Sequence, residues 1–235
     1  MADTVSFEIA HRLLEEADVS LSEEQFVKLR KYVDLLISES GRQNVTAVRD
    51  PENIWKRHIA DSAVLLHYLN DGSSVLDLGT GGGIPAIPLA ILNPSLDVTM
   101  LDSELNKIQF CQNAVSALGL QSKCLCDRAE ELAHDFQYRG QFDAVVSRAM
   151  AAGSMLSELS VPFLKRSGRL IAMKGRSFDD EVERFSPSAA VLHCCVENHP
   201  YALFNESKTL VILTKQEETD EKYPRRFAKI KRNPL

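Results

Sequence analysis

The chain has 235 residues, of which 44% are hydrophobic, and a formal net charge of −6 at pH 7. That apolar content excludes global disorder, and the length suits one α/β domain of ordinary size with an appendage. No apolar run reaches the length of a membrane span, and MADTVSFEIA lacks a basic region followed by an apolar core, so a soluble, cytoplasmic protein with no membrane partner is expected.

Two helical periods open the chain. Phe7, Ala10, Leu13 and Leu14 form the first, and Phe26, Leu29, Val33, Leu36 and Ile37 the second. Ser22 and Gln25 stand at capping-box spacing before the second helix, and Gly41 is its expected end. Asp50 then reads as an N-cap, with Pro51 at the first helical position. The next helix, near 52–69, carries Arg57, His58 and Asp61 within one turn. These three make either a substrate-facing polar patch or an ordinary surface pair.

From residue 74 strands and helices alternate. Strands are expected near 74–79, 97–102, 123–127, 142–147, 168–174, 189–196 and 208–214, and helices near 84–92, 104–118, 129–135, 152–164 and 177–185. Alternation of this kind implies a parallel, doubly wound α/β sheet. Only a loop separates the last two strands, so the last one pairs antiparallel. The chain divides into a helical extension (1–72), the sheet-bearing body (73–215) and a basic tail (216–235).

The run Val75-Leu76-Asp77-Leu78-Gly79-Thr80-Gly81-Gly82-Gly83-Ile84-Pro85 reads as a buried strand, a glycine turn and a helix start. Asp102 ends the next apolar run, near the roughly 20-residue distance expected of the acid that holds an adenosine ribose. Where a dinucleotide fingerprint has its third glycine, this chain has Ile84 followed by Pro85. Asp77 adds an expected negative charge at the mouth, which suits a cationic ligand better than a diphosphate. S-adenosylmethionine (SAM), with its sulfonium and ammonium, fits better than a nicotinamide cofactor, which stays as the rival. Ala129-Glu130, after the third strand, falls where the adenine ring would lie, although Glu130 also suits a helix start.

Ser147-Arg148-Ala149-Met150 follows the fourth strand, the usual place for the reacting group. The Asn/Asp-Pro-Pro-Tyr/Phe motif of enzymes that methylate exocyclic amines is missing, and so is a Pro-Cys nucleophile. An arginine at a strand end is rarely there for packing, because its charge needs a partner. It suits a phosphate, a carboxylate or a guanine edge. Lys174-Gly175-Arg176 ends the fifth strand and either charges a substrate groove or turns the chain. The five cysteines form no disulfide framework or zinc spacing and read as reduced core thiols; no metal is expected. The end, KYPRRFAKIKRNPL, has six cations and no acid, with Tyr223 and Phe227 interleaved. It reads as a nucleic-acid contact or as a solvated mobile terminus.

Together these segments resemble the bacterial small-subunit ribosomal RNA guanine-N7 methyltransferases, the glucose-inhibited division protein B family. The matching stretches are Asn44-Val45-Thr46-Ala47, Arg57-His58-Ile59-Ala60-Asp61-Ser62, Val75 to Pro88, Leu101-Asp102-Ser103, Val146-Ser147-Arg148-Ala149, Met173-Lys174-Gly175, and Tyr223-Pro224-Arg225-Arg226 with Asn233-Pro234. The resemblance implies a seven-stranded, class I SAM-dependent methyltransferase fold with the last strand antiparallel. It implies an enzyme with a SAM donor, a single guanine near the decoding region of 16S rRNA as acceptor, and the rRNA or small ribosomal subunit as partner; the protein is expected to be a monomer. Carried over by motif, Gly79 and Ile84 contact SAM, and Ala129 and Glu130 hold the adenine end, beside the Asp102 whose spacing suits the ribose. Arg148 lies between cofactor and substrate as a positioning group, with no general base. Ala86, Gly82 and the stretch Phe227-Ala228-Lys229-Ile230 depart from the family pattern. The rival readings are methylation of another RNA, a protein or a small molecule, and a SAM-binding, RNA-associated protein without catalysis.

Overall fold

The structure of the protein is a computed structural model that describes residues 5–43, 46–148, 150, 153–175 and 179–235. Its centre is β1 (Ser74–Leu78), whose last four residues are buried on both faces, as a central parallel strand requires. Around it lie β2 (Asp97–Asp102), β3 (Lys123–Cys126), β4 (Phe142–Arg148), β5 (Leu164–Lys174), β6 (Cys194–Leu203) and β7 (Glu206–Lys215), in the order β3-β2-β1-β4-β5-β7-β6. The first five run parallel. β7 is antiparallel and sits between β5 and β6, so the final strand in sequence is interior to the sheet. The strand order reverses at β1, which is flanked by β2 and β4. Such a switch point opens a crevice at the carboxyl ends of the strands.

Alternation along the strands separates two cores. Val75, Val98, Val146 and Ile171 face α1 (Phe7–Glu15), α2 (Glu23–Gln43), α5 (Ala86–Leu92) and α6 (Leu105–Leu118). Leu76, Leu101, Val145 and Leu170 face α7 (Ala129–Leu132), α8 (Gly153–Ser160), α9 (Asp179–Val191) and α10 (Phe227–Arg232). The N-terminal helices thus bury their apolar stripes on one face of the sheet and the C-terminal segment on the other.

The local signals largely act as expected. Ser22 N–H donates to Gln25 Oε1 at 2.9 Å and Gln25 N–H donates to Ser22 Oγ at 3.2 Å, a reciprocal capping box. Asp50 Oδ1 accepts from Asn53 N–H at 2.8 Å at the start of α3 (Pro51–Ile54). Gly41 does not stop α2, which runs on to Gln43. The expected strand at 189–196 begins only at Cys194. Residues up to Val191 belong to α9, because Phe185, Ser188, Ala189 and Leu192 are buried at helical spacing. Asn44, Val45, Ala149 and Arg176 lie outside the described residues. Among the described residues no helix is long and apolar enough to cross a membrane.

After α3 the chain passes through a π-helical turn, Trp55–Ala60, into α4 (Asp61–Ala63) and a 3-10 segment, Val64–Tyr68. A π turn adds a residue to the ladder and rotates the side chains beyond it. His58 and Asp61 are therefore both buried, at 5% and 7% exposure, and the surface-pair reading of this helix is not what the fold contains.

Candidate functional site: two clefts that meet at Arg148

β1 delivers the chain to the glycine turn at the switch point. Gly79 and Gly83 have φ of +75° and +83°, and a Cβ at Gly79 would lie 2.8 Å from Met150 Cγ. A side chain is excluded there both by backbone conformation and by space. The N–H groups of Gly79 and Thr80 donate to Leu101 C=O at 2.9 and 3.1 Å. Tyr32, fully buried on α2, donates from its hydroxyl to Gly82 C=O at 2.7 Å. The N-terminal helices thereby brace the turn.

Asp77 is not at the mouth. It has no exposed surface and lies beneath the turn, where Thr80 Oγ1 donates to its Oδ2 at 2.6 Å and Ala86 N–H at 3.3 Å. Burial pushes its carboxyl up to about 7, against the pull of those two hydrogen bonds and of the Arg148 charge. The sequence expectation treated Asp77 as a solvent-facing charge; the inward-facing pleat of β1 makes it an anchor for the loop.

The first cleft, about 350 Å³, opens at the strand ends, and Gly79, Asp102, Ala129, Glu130 and Arg148 all line it. Asp102 is held rigidly: its Oδ2 accepts from Gly81 N–H and its Oδ1 from Glu104 N–H, each at 3.0 Å. It therefore orients both the glycine turn and the entry to α6. Ile84 follows the turn: its N–H donates to Thr80 C=O at 3.1 Å and its partly buried side chain packs against the core. On the far wall, Arg128 donates from Nε to Glu130 Oε1 at 2.9 Å and stacks its guanidinium 4.7 Å from the centre of the Phe227 ring. Phe227 also lines the cleft. Sequence reasoning missed it as a cleft residue; its one visible signal was an aromatic set among cations at a position atypical for the family.

Phe227 arrives there because the C-terminal segment is docked rather than mobile. Arg139 donates to the carbonyls of Thr219, Asp220 and Tyr223 at 2.9, 3.2 and 2.8 Å. His134 bonds Pro224 C=O at 2.9 Å, and Arg225 pairs with the buried Glu158. Arg226, Lys229, Lys231 and Arg232 remain exposed.

A second cleft, about 490 Å³, lies on the other side of Arg148, between the π turn and the β6–β7 hairpin. Arg57, Asp61, Lys174, Gly175, Tyr201 and Lys208 line it together with Arg148. Tyr201 and Lys208 oppose each other in the hairpin register, and both donate to Asp61 Oδ1, at 3.0 and 2.8 Å. These two were invisible from sequence, lying 140 and 147 residues beyond Asp61. His58 sits behind the cleft, with Nε2 2.7 Å from Thr46 Oγ1. Burial, and then the charge of Arg148, press its pKa down to about 4, so the ring is neutral at physiological pH. Among the described residues, Arg148 Nη1, His58 Nδ1 and Asp77 Oδ1 are buried without a hydrogen-bond partner. Such groups are costly to leave unpaired, and of the three Arg148 lines both clefts, where an incoming polar ligand can reach it. Cys126 and Cys195 are exposed, so not all of the thiols belong to the core.

Comparison with known proteins places the chain in a family. Residues 25–210 match the sequence model of the GidB family, described as rRNA small subunit methyltransferase G. A curated ribosomal RNA small subunit methyltransferase G from Streptococcus equi subsp. zooepidemicus is 38% identical over 228 residues, covering 94% of this chain and 96% of the relative. Among solved structures, the YcgJ protein of Bacillus subtilis superposes with a TM-score of 0.55 at 10% identity, covering 68% of this chain and 100% of that one. M. jannaschii TYW2, solved in complex with AdoMet, gives 0.52 at 14% identity, covering 68% of this chain and 76% of that one. Both are likenesses of fold alone, and the fold is that of the class I SAM-dependent methyltransferases. On family match and relatedness over nearly its whole length, the chain belongs to the GidB family of small-subunit rRNA methyltransferases.

Proposed function

We propose that this protein transfers the methyl group of SAM to N7 of a guanine near the decoding region of 16S rRNA, in the rRNA or in the small ribosomal subunit. The observation that carries the reading is the position of Arg148, on the wall between a carboxylate-rich cleft and a cation-bearing one.

The first cleft suits a cationic donor. Asp102, Glu104, Asp127 and Glu130 line it, against Lys107, Arg128 and Arg148. Two of those cations are already paired, Lys107 with Glu104 and Arg128 with Glu130, at 2.7 and 2.9 Å. The volume lies within the range of small-molecule sites. Asp102, pinned by two backbone N–H groups, offers its remaining lone pairs to ribose hydroxyls. Ala129, Glu130 and Phe227 would hold the adenine end, and Gly79 leaves room for the amino-acid tail. SAM, when bound, supplies an electrophilic methyl group on a sulfonium.

Guanine N7 carries a lone pair and no proton, so the transfer needs alignment rather than a base. A neutral His58 and an Arg148 with an unpaired, buried Nη1 fit that demand. Positive charge develops on the purine, so a guanidinium at the reacting atom would oppose it; Arg148 serves by orienting the O6 side of the base or a neighbouring phosphate. The exposed cations of α10, together with Arg57, supply phosphate contacts. In this reading residues 73–215 carry the chemistry, 1–72 brace the glycine turn, and 216–235 close the donor cleft and meet RNA.

The test is incubation with methyl-labelled SAM and, separately, naked 16S rRNA and small subunits, with subsequent mapping of the modified base. Label on N7 of a single guanine is expected. Label on another atom, or none on either substrate, ends the proposal.

A further inference from the structure

Methylating N7 does not by itself choose guanine, because adenine N7 is equally unprotonated. Something in the acceptor cleft must read another edge of the base; two carboxylates line it, Asp61 on α4 and Glu206 at the start of β7, and Asp61 is the one clamped in place by two side chains. Asp61 lines the cleft with only 9% of its side chain exposed. Tyr201 Oη and Lys208 Nζ both donate to Oδ1, which fixes the side chain's rotamer. Oδ2 accepts no hydrogen bond from the described residues, so its two lone-pair sites are available. Arg148, at the end of β4, lines the same cleft, and its buried Nη1 has no partner among the described residues.

We infer that Asp61 is the base-specificity determinant of the acceptor cleft. Its Oδ2 accepts N1–H and the N2 amino group of the target guanine, while Arg148 donates to O6. This rests on guanine as the acceptor and assigns its recognition to a residue. Adenine places a lone pair at N1, where the carboxylate offers only lone pairs, so it is rejected at that edge before its N7 can be aligned. Lys208 and Tyr201 are positioning residues: they act through Asp61.

The experiment measures methyl transfer to 16S rRNA assembled with guanosine, inosine or adenosine at the modified position. Inosine keeps N7, O6 and N1–H and lacks only the N2 amino group. The wild-type protein should favour guanosine over inosine by roughly tenfold to a hundredfold in kcat/KM, the worth of a hydrogen bond to a charged group, and should leave adenosine unmodified. Asp61→Asn should raise KM for the guanosine RNA and shrink the guanosine-to-inosine ratio toward one, with SAM affinity by calorimetry unchanged. A merely structural role for Asp61 would lower activity on both RNAs and leave that ratio intact, which overturns the inference. Equal rates of the wild-type protein on guanosine and inosine overturn it without any variant. Should the wild-type protein bind SAM yet methylate no guanine, the reading of the acceptor itself has failed, and this inference falls with it.

Discussion

Arg225 lays its guanidinium along Glu158, with Nε 2.7 Å from Oε1 and Nη2 2.6 Å from Oε2, and adds its own backbone N–H to Oε1 at 2.9 Å. Glu158 is wholly buried on α8, so this pair is the bolt that holds the C-terminal segment on the sheet. Breaking such a pair from one side strands a buried charge and costs about 3–5 kcal/mol. Arg225→Met should therefore lower the urea midpoint markedly and weaken SAM binding as well, because Phe227 is only two residues further along. An unchanged midpoint would show that the segment is not anchored by this contact.

Phe227 offers a milder test of the same wall. Phe227→Ala should weaken SAM by about tenfold, a modest loss for an aromatic face against a base, with stability nearly preserved because the ring is only partly buried. Phe227→Tyr should restore the affinity. Calorimetry with SAM decides it, and wild-type affinity in the alanine variant would remove Phe227 from the donor cleft.

For Arg148 the expected split is between binding and turnover. Arg148→Ala should slow methyl transfer to rRNA by roughly a hundredfold, the scale of a small misalignment of reacting groups, with a smaller change in the Kd for SAM. Single-turnover assays on the natural RNA read this directly. Full-rate methylation by the variant would mean that the base is oriented by other groups.

Asp77 gives stability an unusual pH dependence. An unfolded aspartate titrates near about 3.9, whereas the buried carboxyl titrates near 7 because desolvation disfavours its charge. Between those values the folded state holds the extra proton, so this group's contribution is present below about pH 4 and is lost as pH rises toward 7. The slope is at most about 1.4 kcal/mol per pH unit. Asp77→Asn cannot ionise and can still accept from Thr80. Its stability should fall less than that of the wild type between pH 4 and 7, by urea titration across that range. Parallel curves would mean that Asp77 titrates like an exposed aspartate.

Much of this protein was legible in its sequence because the deciding forces there are local. The capping box at Ser22, the Asp50 cap, the alternation of apolar strands and the glycine turn each rest on residues within a few positions of one another. The Gly79-to-Asp102 spacing comes from one strand–helix–strand unit. Those signals were enough to expect the doubly wound sheet and a donor cleft at its carboxyl edge. Tertiary packing decided what spacing cannot encode. Asp77 turned inward under its own loop, Ile84 folded back onto the core, and Asp61 met Tyr201 and Lys208 across the hairpin. The C-terminal cations were divided between a buried ion pair and an open surface. Each of these outcomes depends on which polar group finds a partner once water is excluded, and the partners come from segments far apart in the chain.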